Sequence, residues 1–355
     1  MTDATAAIQK AIDATKAGGK LVIPLGAYKI TDTLLIRKPI SLMGSGIGEH
    51  EATNLHFYLP ENSKRDCAIS IEYDNVLSGS STRNIVIDNI HLVYEWETLG
   101  LTAQIHDGIS TKNNSEWTVD LDISNVRSRS FRNGLYIAQT YLSRFRNVRA
   151  TSCGVSGFNF AGFSTSLLVE NCYAQHCIKG DGFLINNIVY STFIACAADD
   201  NMNAYKISNS SSVNLTNCGS ESNRNTAIYF FGGNENVKID GFFSHQNGAR
   251  EANWYGISVH ADYGNKNIVI SNLNEKEIHE LATERSHSIV LSEGSTEIFI
   301  ENCFVQKKIT MNSAIKIDGN YYASSEPTSG SHFLGKIIYK SNNISADNYI
   351  KNSGW

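Results

Sequence analysis

The chain has 355 residues, 41 % of them hydrophobic and only 18 % charged, with a net charge of −5. A nucleic-acid partner, which needs clustered Lys and Arg, is disfavoured by this balance. Apolar runs of about five residues fall far short of a membrane span. Seven cysteines, an odd number with no CxxC pair, argue against both a disulfide framework and a zinc knuckle.

The chain opens on Met1-Thr2-Asp3 without a charged-then-apolar signal segment, as expected of a piece of a longer parent or a product made without an export signal. From Asp3 to Lys16 the spacing predicts a short amphipathic helix, with Ala7, Ile8, Ala11 and Ile12 on one face and Asp3 placed to cap it. Gly18 to Ile30 then reads as a strand. At the start of a stack of strands, such a helix is expected to cover an open sheet edge.

Downstream, a short apolar-x-Asn-apolar phrase recurs. It reads Ile87-Asp88-Asn89-Ile90, Ile123-Ser124-Asn125-Val126, Phe145-Arg146-Asn147-Val148 and Val169-Glu170-Asn171-Cys172. It continues, with variation, to Cys196, Cys218, Phe242, Leu273 and Cys303. From Val126 the closing residues lie 22, 24, 24, 22 and 24 apart, then 31 and 30, so the last two intervals contain insertions. A second phrase, small-apolar-x-apolar, tracks the first. Its copies include Gly134-Leu135-Tyr136-Ile137, Ala204-Tyr205-Lys206-Ile207, Ala227-Ile228-Tyr229-Phe230, Gly256-Ile257-Ser258-Val259 and Ala314-Ile315-Lys316-Ile317. Period-two alternation inside each phrase, with Gly or Asn at the corners, predicts an all-β fold. The architecture is a single-stranded right-handed parallel β-helix with a short N-terminal capping helix. The expected organisation is a capping helix and first strand at 1–30, the β-helix at 31–317, and last coils or a C-terminal cap at 318–355.

Stacking the coils places Cys172, Cys196, Cys218 and Cys303 in one inward column, where they serve as small hydrophobes. Cys153 and Cys177 begin a second column that Asn201, Asn223 and Asn247 continue as an amide stack. Three residues past the first phrase lies an outward column: Arg129, Thr151, Gln175, Asp199, Glu221 and His245. The position before it (Ser128, Ala150, Ala174, Ala198, Ser220, Ser244) is small and suited to the interior. His176 and Asp200 follow the charged column.

The segments Thr2-Asp3-Ala4-Thr5-Ala6-Ala7-Ile8-Gln9-Lys10-Ala11-Ile12 and Gly19-Lys20-Leu21-Val22-Ile23-Pro24-Leu25-Gly26-Ala27-Tyr28 resemble the opening of pectate-lyase-like β-helix proteins. The likeness is to the depolymerase domains of phage tailspikes and their bacterial relatives. The Gly-Asp-Gly segment usual just upstream is missing. The Gly-His-Gly and Arg-Ile-Lys phrases of polygalacturonases do not occur, and no cage of clustered acids suggests calcium. The resemblance implies a homotrimer with a bacterial polysaccharide as substrate, located on a virion tail or outside the cell. No nucleic acid, membrane, metal or cofactor is expected.

Asp199 and Glu221 fall on consecutive coils about 4.8 Å apart, close enough that one carboxyl is expected to have a raised pKa. Paired carboxylates suit glycoside hydrolysis: separations of about 5–5.5 Å favour retention and about 6.5–9.5 Å inversion. Asp200 is the spare carboxylate. A solvated turn bearing stray acids is the bland alternative, weighed against the nearby charges Arg129, His176, Arg224 and His245. Tyr173, Tyr229 and Trp254 are candidate sugar-binding aromatics, and Tyr136, Asn159, Lys206 and Tyr229 form a further outward column. Arg127, Arg129, Arg132, Arg144, Arg146 and Arg149 make a basic patch suited to an acidic glycan or to acids across subunits. Three functions follow: hydrolysis by Asp199 and Glu221; β-elimination on a uronic acid by His176, His245, Lys179, Tyr173 and the arginines; or glycan binding without turnover.

Overall fold

The computed structural model describes residues 1–46, 52–63, 65–72, 82–112, 116–177, 179–248, 256–277, 287–292 and 294–306, with strands at Lys308–Met311, Ile315–Ile317, Asn320–Tyr322 and Asn343–Ile344. Most of 318–355, and Trp254, lie outside the described residues. The fold is a parallel β-helix in two compact units: Met1–Leu184 with Ile188–Ser191, and Ile185–Asn187 with Thr192–Trp355. They are called here the N-terminal and C-terminal units.

In the N-terminal unit one coil consists of Asp122–Ser124, Arg127–Arg129 and Asn133–Ala138, one strand in each of three sheets. Each strand pairs in parallel with its counterpart one coil away, so Ile123 faces Phe145, Ser128 faces Ala150 and Leu135 faces Phe158. All six of these inward side chains are buried. Like residues stack on like: Phe158 and Phe183 lie parallel with centroids 4.6 Å apart, a geometry that adds to their burial.

The Asn of the first phrase explains the corner between the first and second sheets. Asn125, Asn147 and Asn171 have φ of 51°, 52° and 51°, a left-handed conformation that Asn tolerates better than most side chains. Their amides then bond coil to coil, Asn147 to Asn125 at 3.1 Å and Asn171 to Asn147 at 2.7 Å.

Helix Thr5–Ala14 follows a one-residue adjustment to expectation. Ala4 stands at the cap position, and the Asp3 carboxylate accepts from Thr5 N–H at 2.9 Å. Ile8 and Ile12 are buried whereas Ala7 is exposed, so the packed face is narrower than the apolar count implied. Gln9 accepts from Leu35 N–H at 2.8 Å and donates to Leu35 C=O at 3.1 Å, filling both backbone valences that a neighbouring strand would fill.

In the C-terminal unit the three sheets are represented by Ser211–Thr216, Gly219–Glu221 and Ile228–Phe230. Two strand placements differ from the phrase reading. Ile315–Ile317 pairs with Ile298–Ile300 in the first sheet, and Lys308–Met311 takes the third-sheet position. Ile228 lies opposite Val259, so Gly256-Ile257-Ser258 precede that strand and Tyr229 meets His260. All seven cysteines are buried, and the Asn stack is formed, with Asn201 donating to Asn223 at 3.1 Å and Asn223 to Asn247 at 2.8 Å.

Candidate functional site

Two outward clusters of the C-terminal unit carry chemistry. On its second sheet Asp199 stands directly opposite Glu221, and Glu221 opposite His245. Ala198, Ser220 and Ser244 are buried, so alternation turns the three ionisable side chains outward. Glu221 Oε1 lies 3.2 Å from His245 Nδ1, and His245 Nε2 lies 3.1 Å from Glu277 Oε2. The imidazole therefore bridges two carboxylates from different coils, and its bond holds the Glu277 carboxyl below the usual range.

Asp200 follows at φ 48°, with Arg224 Nε 3.7 Å from its Oδ1. Ser222, Gln246 and Glu277 occupy the same corner at φ 52°, 49° and 46°. Positive φ at Asp200 is thus shared by the turn of successive coils, and by itself it does not mark a reactive residue.

The second cluster lies on the third sheet. Lys206, Tyr229 and His260 are successive partners across the coils. The Tyr229 and His260 rings stack with centroids 4.9 Å apart and planes within 4°. The Tyr229 hydroxyl donates to Asp262 Oδ2 at 2.6 Å, while His260 Nε2 lies 3.2 Å from Asp262 Oδ1. One carboxylate thus orients both a phenol and an imidazole. Lys206 Nζ sits 4.9 Å from the Phe231 ring centre and 5.6 Å from that of Tyr229. The His260 side chain is 5 % exposed. Burial pushes its pKa down to about 4 against the opposing pull of Asp262, so the ring is neutral at neutral pH. A neutral imidazole, a carboxylate-bound phenol and an ammonium above aromatic faces are the parts of a proton-transfer site for an anionic substrate.

Of the residues singled out in the sequence, Asp199, Glu221 and His245 fall together on the second sheet, Asp200 and Arg224 lie in the turns just past its strands, and Tyr229 belongs to the third-sheet cluster. Arg129, Tyr173 and His176 belong to the N-terminal unit. His260, Asp262 and Phe231 were missed. Placing Ser258 in phase with Tyr229 concealed His260; noticing that Val259-His260-Ala261 also alternates exposes the second possible phase. Glu275 was missed for a different reason. It stands in the small inward column yet is buried, accepting from Ser258 Oγ at 2.6 Å, Ser288 Oγ at 2.5 Å and Gln306 N–H at 2.7 Å. These donors sit 13 to 31 residues away in sequence.

The family profile described as rhamnogalacturonase A/epimerase, pectate lyase-like, matches residues 1–193. The chain belongs to this family. Among solved structures, its fold is similar to Geobacillus virus E2 ORF18, at 15 % identity and TM-score 0.64, covering 92 % of this chain and 62 % of that one. The Acinetobacter phage vb_AbaP_AS12 gp42 tailspike is similar at 13 % identity and TM-score 0.67, covering 96 % of this chain and 64 % of that one. The A-module of the Azotobacter vinelandii mannuronan C-5 epimerase AlgE4 is similar at 16 % identity and TM-score 0.57, covering 93 % and 96 %. The chain spans less than two thirds of the two phage proteins. At such identities the likeness establishes the shared β-helix fold. No curated protein matches the sequence. For this member of the pectate-lyase-like family, a polysaccharide-active β-helix is the level of function that the comparisons support.

Proposed function

We propose that the chain is the catalytic β-helix of a depolymerase for a uronic-acid-containing bacterial surface polysaccharide, acting by β-elimination at the third-sheet cluster. The observation that carries this reading is the sharing of Asp262 by the Tyr229 hydroxyl and His260 Nε2. Lys206 neutralises the substrate carboxylate, which makes the adjacent C5–H acidic. As the Tyr229 hydroxyl passes its proton to Asp262, the phenolate takes the C5 proton and delivers it to O4, and Asp262 then returns its proton to the phenolate. The C5–H electron pair becomes the C4=C5 double bond as the C4–O4 pair leaves with oxygen. His260 stacks beneath the phenol and fixes its orientation.

The test is incubation with uronic-acid polysaccharides, following reducing ends, ultraviolet absorbance of the unsaturated product and deuterium uptake at C5. Reducing ends and absorbance rising together, both lost in Tyr229→Phe by a factor of about 10² to 10⁴, support elimination. Deuterium uptake without cleavage turns the proposal toward epimerisation at the same residues.

A second reading is glycoside hydrolysis by Asp199 and Glu221, with Asp200 in reserve. Their direct pairing on adjacent coils and the His245 contact to Glu221 favour it. Reducing ends without absorbance, lost in Asp199→Asn or Glu221→Gln, would replace the first reading with this one. Tailspike relatives among the similar structures and exposed rings such as Phe163 and Tyr190 support an extracellular homotrimer on a virion tail. Light scattering during size-exclusion chromatography checks it.

A further inference from the structure

The six clustered arginines of the early coils divide sharply. Arg132 makes a two-pronged bond to Asp107 at 2.9 and 2.7 Å and also reaches Asp66 at 3.1 Å. Arg146 lies 3.4 Å from Asp122. Arg127, Arg129 and Arg149, by contrast, have no ion pair with any acid among the described residues, and neither has Arg144, which stands on the first sheet away from them. Arg149 donates to Gln175 at 2.7 Å and lies over the Tyr173 ring at 5.2 Å.

Their placement should be unfavourable. Arg127 stands directly opposite Arg149 in the parallel register, with His91 on its other side, and the like charges of the two arginines in direct register repel. Elsewhere this chain answers arginines with carboxylates, as at Glu72 beside Arg37 and at Asp200 beside Arg224. The uncompensated row lines a cleft of about 230 Å³ that also includes His176. A larger groove of about 710 Å³ shares His91, Arg129 and Ser152 with that cleft and has Trp96 on its wall. Two acids line that groove, Glu95, which is engaged by His56 Nδ1 at 2.7 Å, and the exposed Glu97. The row His91, Arg127, Arg149, Tyr173 crosses four neighbouring strands, a span of about 14 Å at the usual strand spacing.

We infer that this groove on the second sheet of the N-terminal unit is a binding site for an acidic oligosaccharide, distinct from the third-sheet residues of the proposed function. Guanidiniums bind carboxylates by paired hydrogen bonds, and Trp96 on the groove wall offers an aromatic ring to a sugar. The extent of the row suits a linear carboxylated chain better than a single small anion. The inference does not rest on the proposed reaction.

The test uses the full chain with the triple variant Arg127→Gln, Arg129→Gln, Arg149→Gln, and separately Tyr229→Phe. Binding of polygalacturonate oligomers is measured by calorimetry at two salt concentrations, beside the same oligomers with their carboxylates reduced to alcohols. Single-stranded DNA and inorganic phosphate serve as other anions, and thermal melts check each fold. The expected result is at least a tenfold loss of affinity and a weaker salt dependence in the triple variant, with binding retained in Tyr229→Phe. If that triple variant fails to fold, Arg129→Gln alone is expected to weaken binding at least threefold. Undiminished binding in the folded variants, equal binding of the carboxyl-reduced oligomer, or tighter binding of DNA or phosphate overturns the inference. So does no binding by the wild-type chain. Binding without cleavage leaves the groove standing and removes the proposed reaction; cleavage with binding unaffected by the arginine changes does the reverse.

Discussion

The second strand of each coil presents opposite chemistry in the two units. In the N-terminal unit its outward positions hold Arg127, Arg129, Arg149 and Tyr173; in the C-terminal unit they hold Asp199, Glu221 and His245. Yet across these six coils the inward position barely changes, being Ser128, Ala150 and Ala174 in one unit and Ala198, Ser220 and Ser244 in the other, all buried, between the larger Leu92 before them and Glu275 after them. A β-helix therefore separates its tasks by side-chain parity. The inner column must fit the column above and below it, because a packed interior tolerates little change of volume. The outer column has water as its neighbour and is free to become a cationic groove in one unit and an acidic ridge in the other.

The comparison can be sharpened first at the corners, where the largest effect on stability is expected. Asn223 is buried, accepts from Asn201 N–H and Nδ2, and donates to the Ala198 carbonyl at 2.8 Å. Asn223→Ala leaves these groups without their partner and should cost about 3 kcal/mol or more. Asn171→Ala, on the exposed ladder, should cost about 1 kcal/mol, the ordinary penalty for a left-handed Ala. Ala195 already occupies that corner at φ 51°. Urea denaturation of both variants checks the difference, and equal losses would break the distinction between inner and outer columns.

A second effect of similar or smaller size concerns His260, an outward residue that is nevertheless buried. Its folded pKa of about 4 lies below the unfolded value near 6.5, with Asp262 and Tyr229 as the polar or charged groups against it. The unfolded chain takes up the proton first as pH falls. Stability present above pH 6.5 is therefore lost progressively down to about pH 4, by up to about 3 kcal/mol. Melting curves of His260→Gln should show a correspondingly flatter pH dependence in that window. An unchanged slope would mean that His260 is hydrated and outer-column in energy as well as in position.

The smallest effect is expected at the outer column itself. Glu221, half exposed and paired with His245, should tolerate Glu221→Gln within about 0.5 kcal/mol, the ordinary range for surface changes. A loss comparable to that of Asn223→Ala would show that the acidic ridge is structural, and would undo the reading of outer columns as free.

The same parity explains what the sequence disclosed. The recurrence of Asn125, Asn147 and Asn171 at intervals of 22 and 24 exposed the coil length, because one corner imposes one backbone conformation each time. The pairing of Asp199 with Glu221 followed by counting from it. Counting failed where an insertion intervened: His260 lies within the lengthened interval between Phe242 and Leu273, so two phases were available and only the hydrogen-bond ladder chooses between them. Pairing of charges was equally hidden, since Arg132 and Asp66 are 66 residues apart. Six arginines that look alike in sequence separate into neutralised and unneutralised groups only once their partners are located.

One amide near the start of the fold has a consequence for behaviour at high concentration. Gln9 presents to Leu35 the same donor and acceptor that a peptide group would present, but it comes from a helix whose remaining surface cannot extend the ladder. The sheet edge meets a decoy rung: it is hydrogen-bonded as though the stack continued, while further accretion of foreign strands finds nothing there to copy. Gln9→Ala would reopen a template for fibrillar self-association, and Gln9→Glu would keep the shape while taking away the donor to the Leu35 carbonyl.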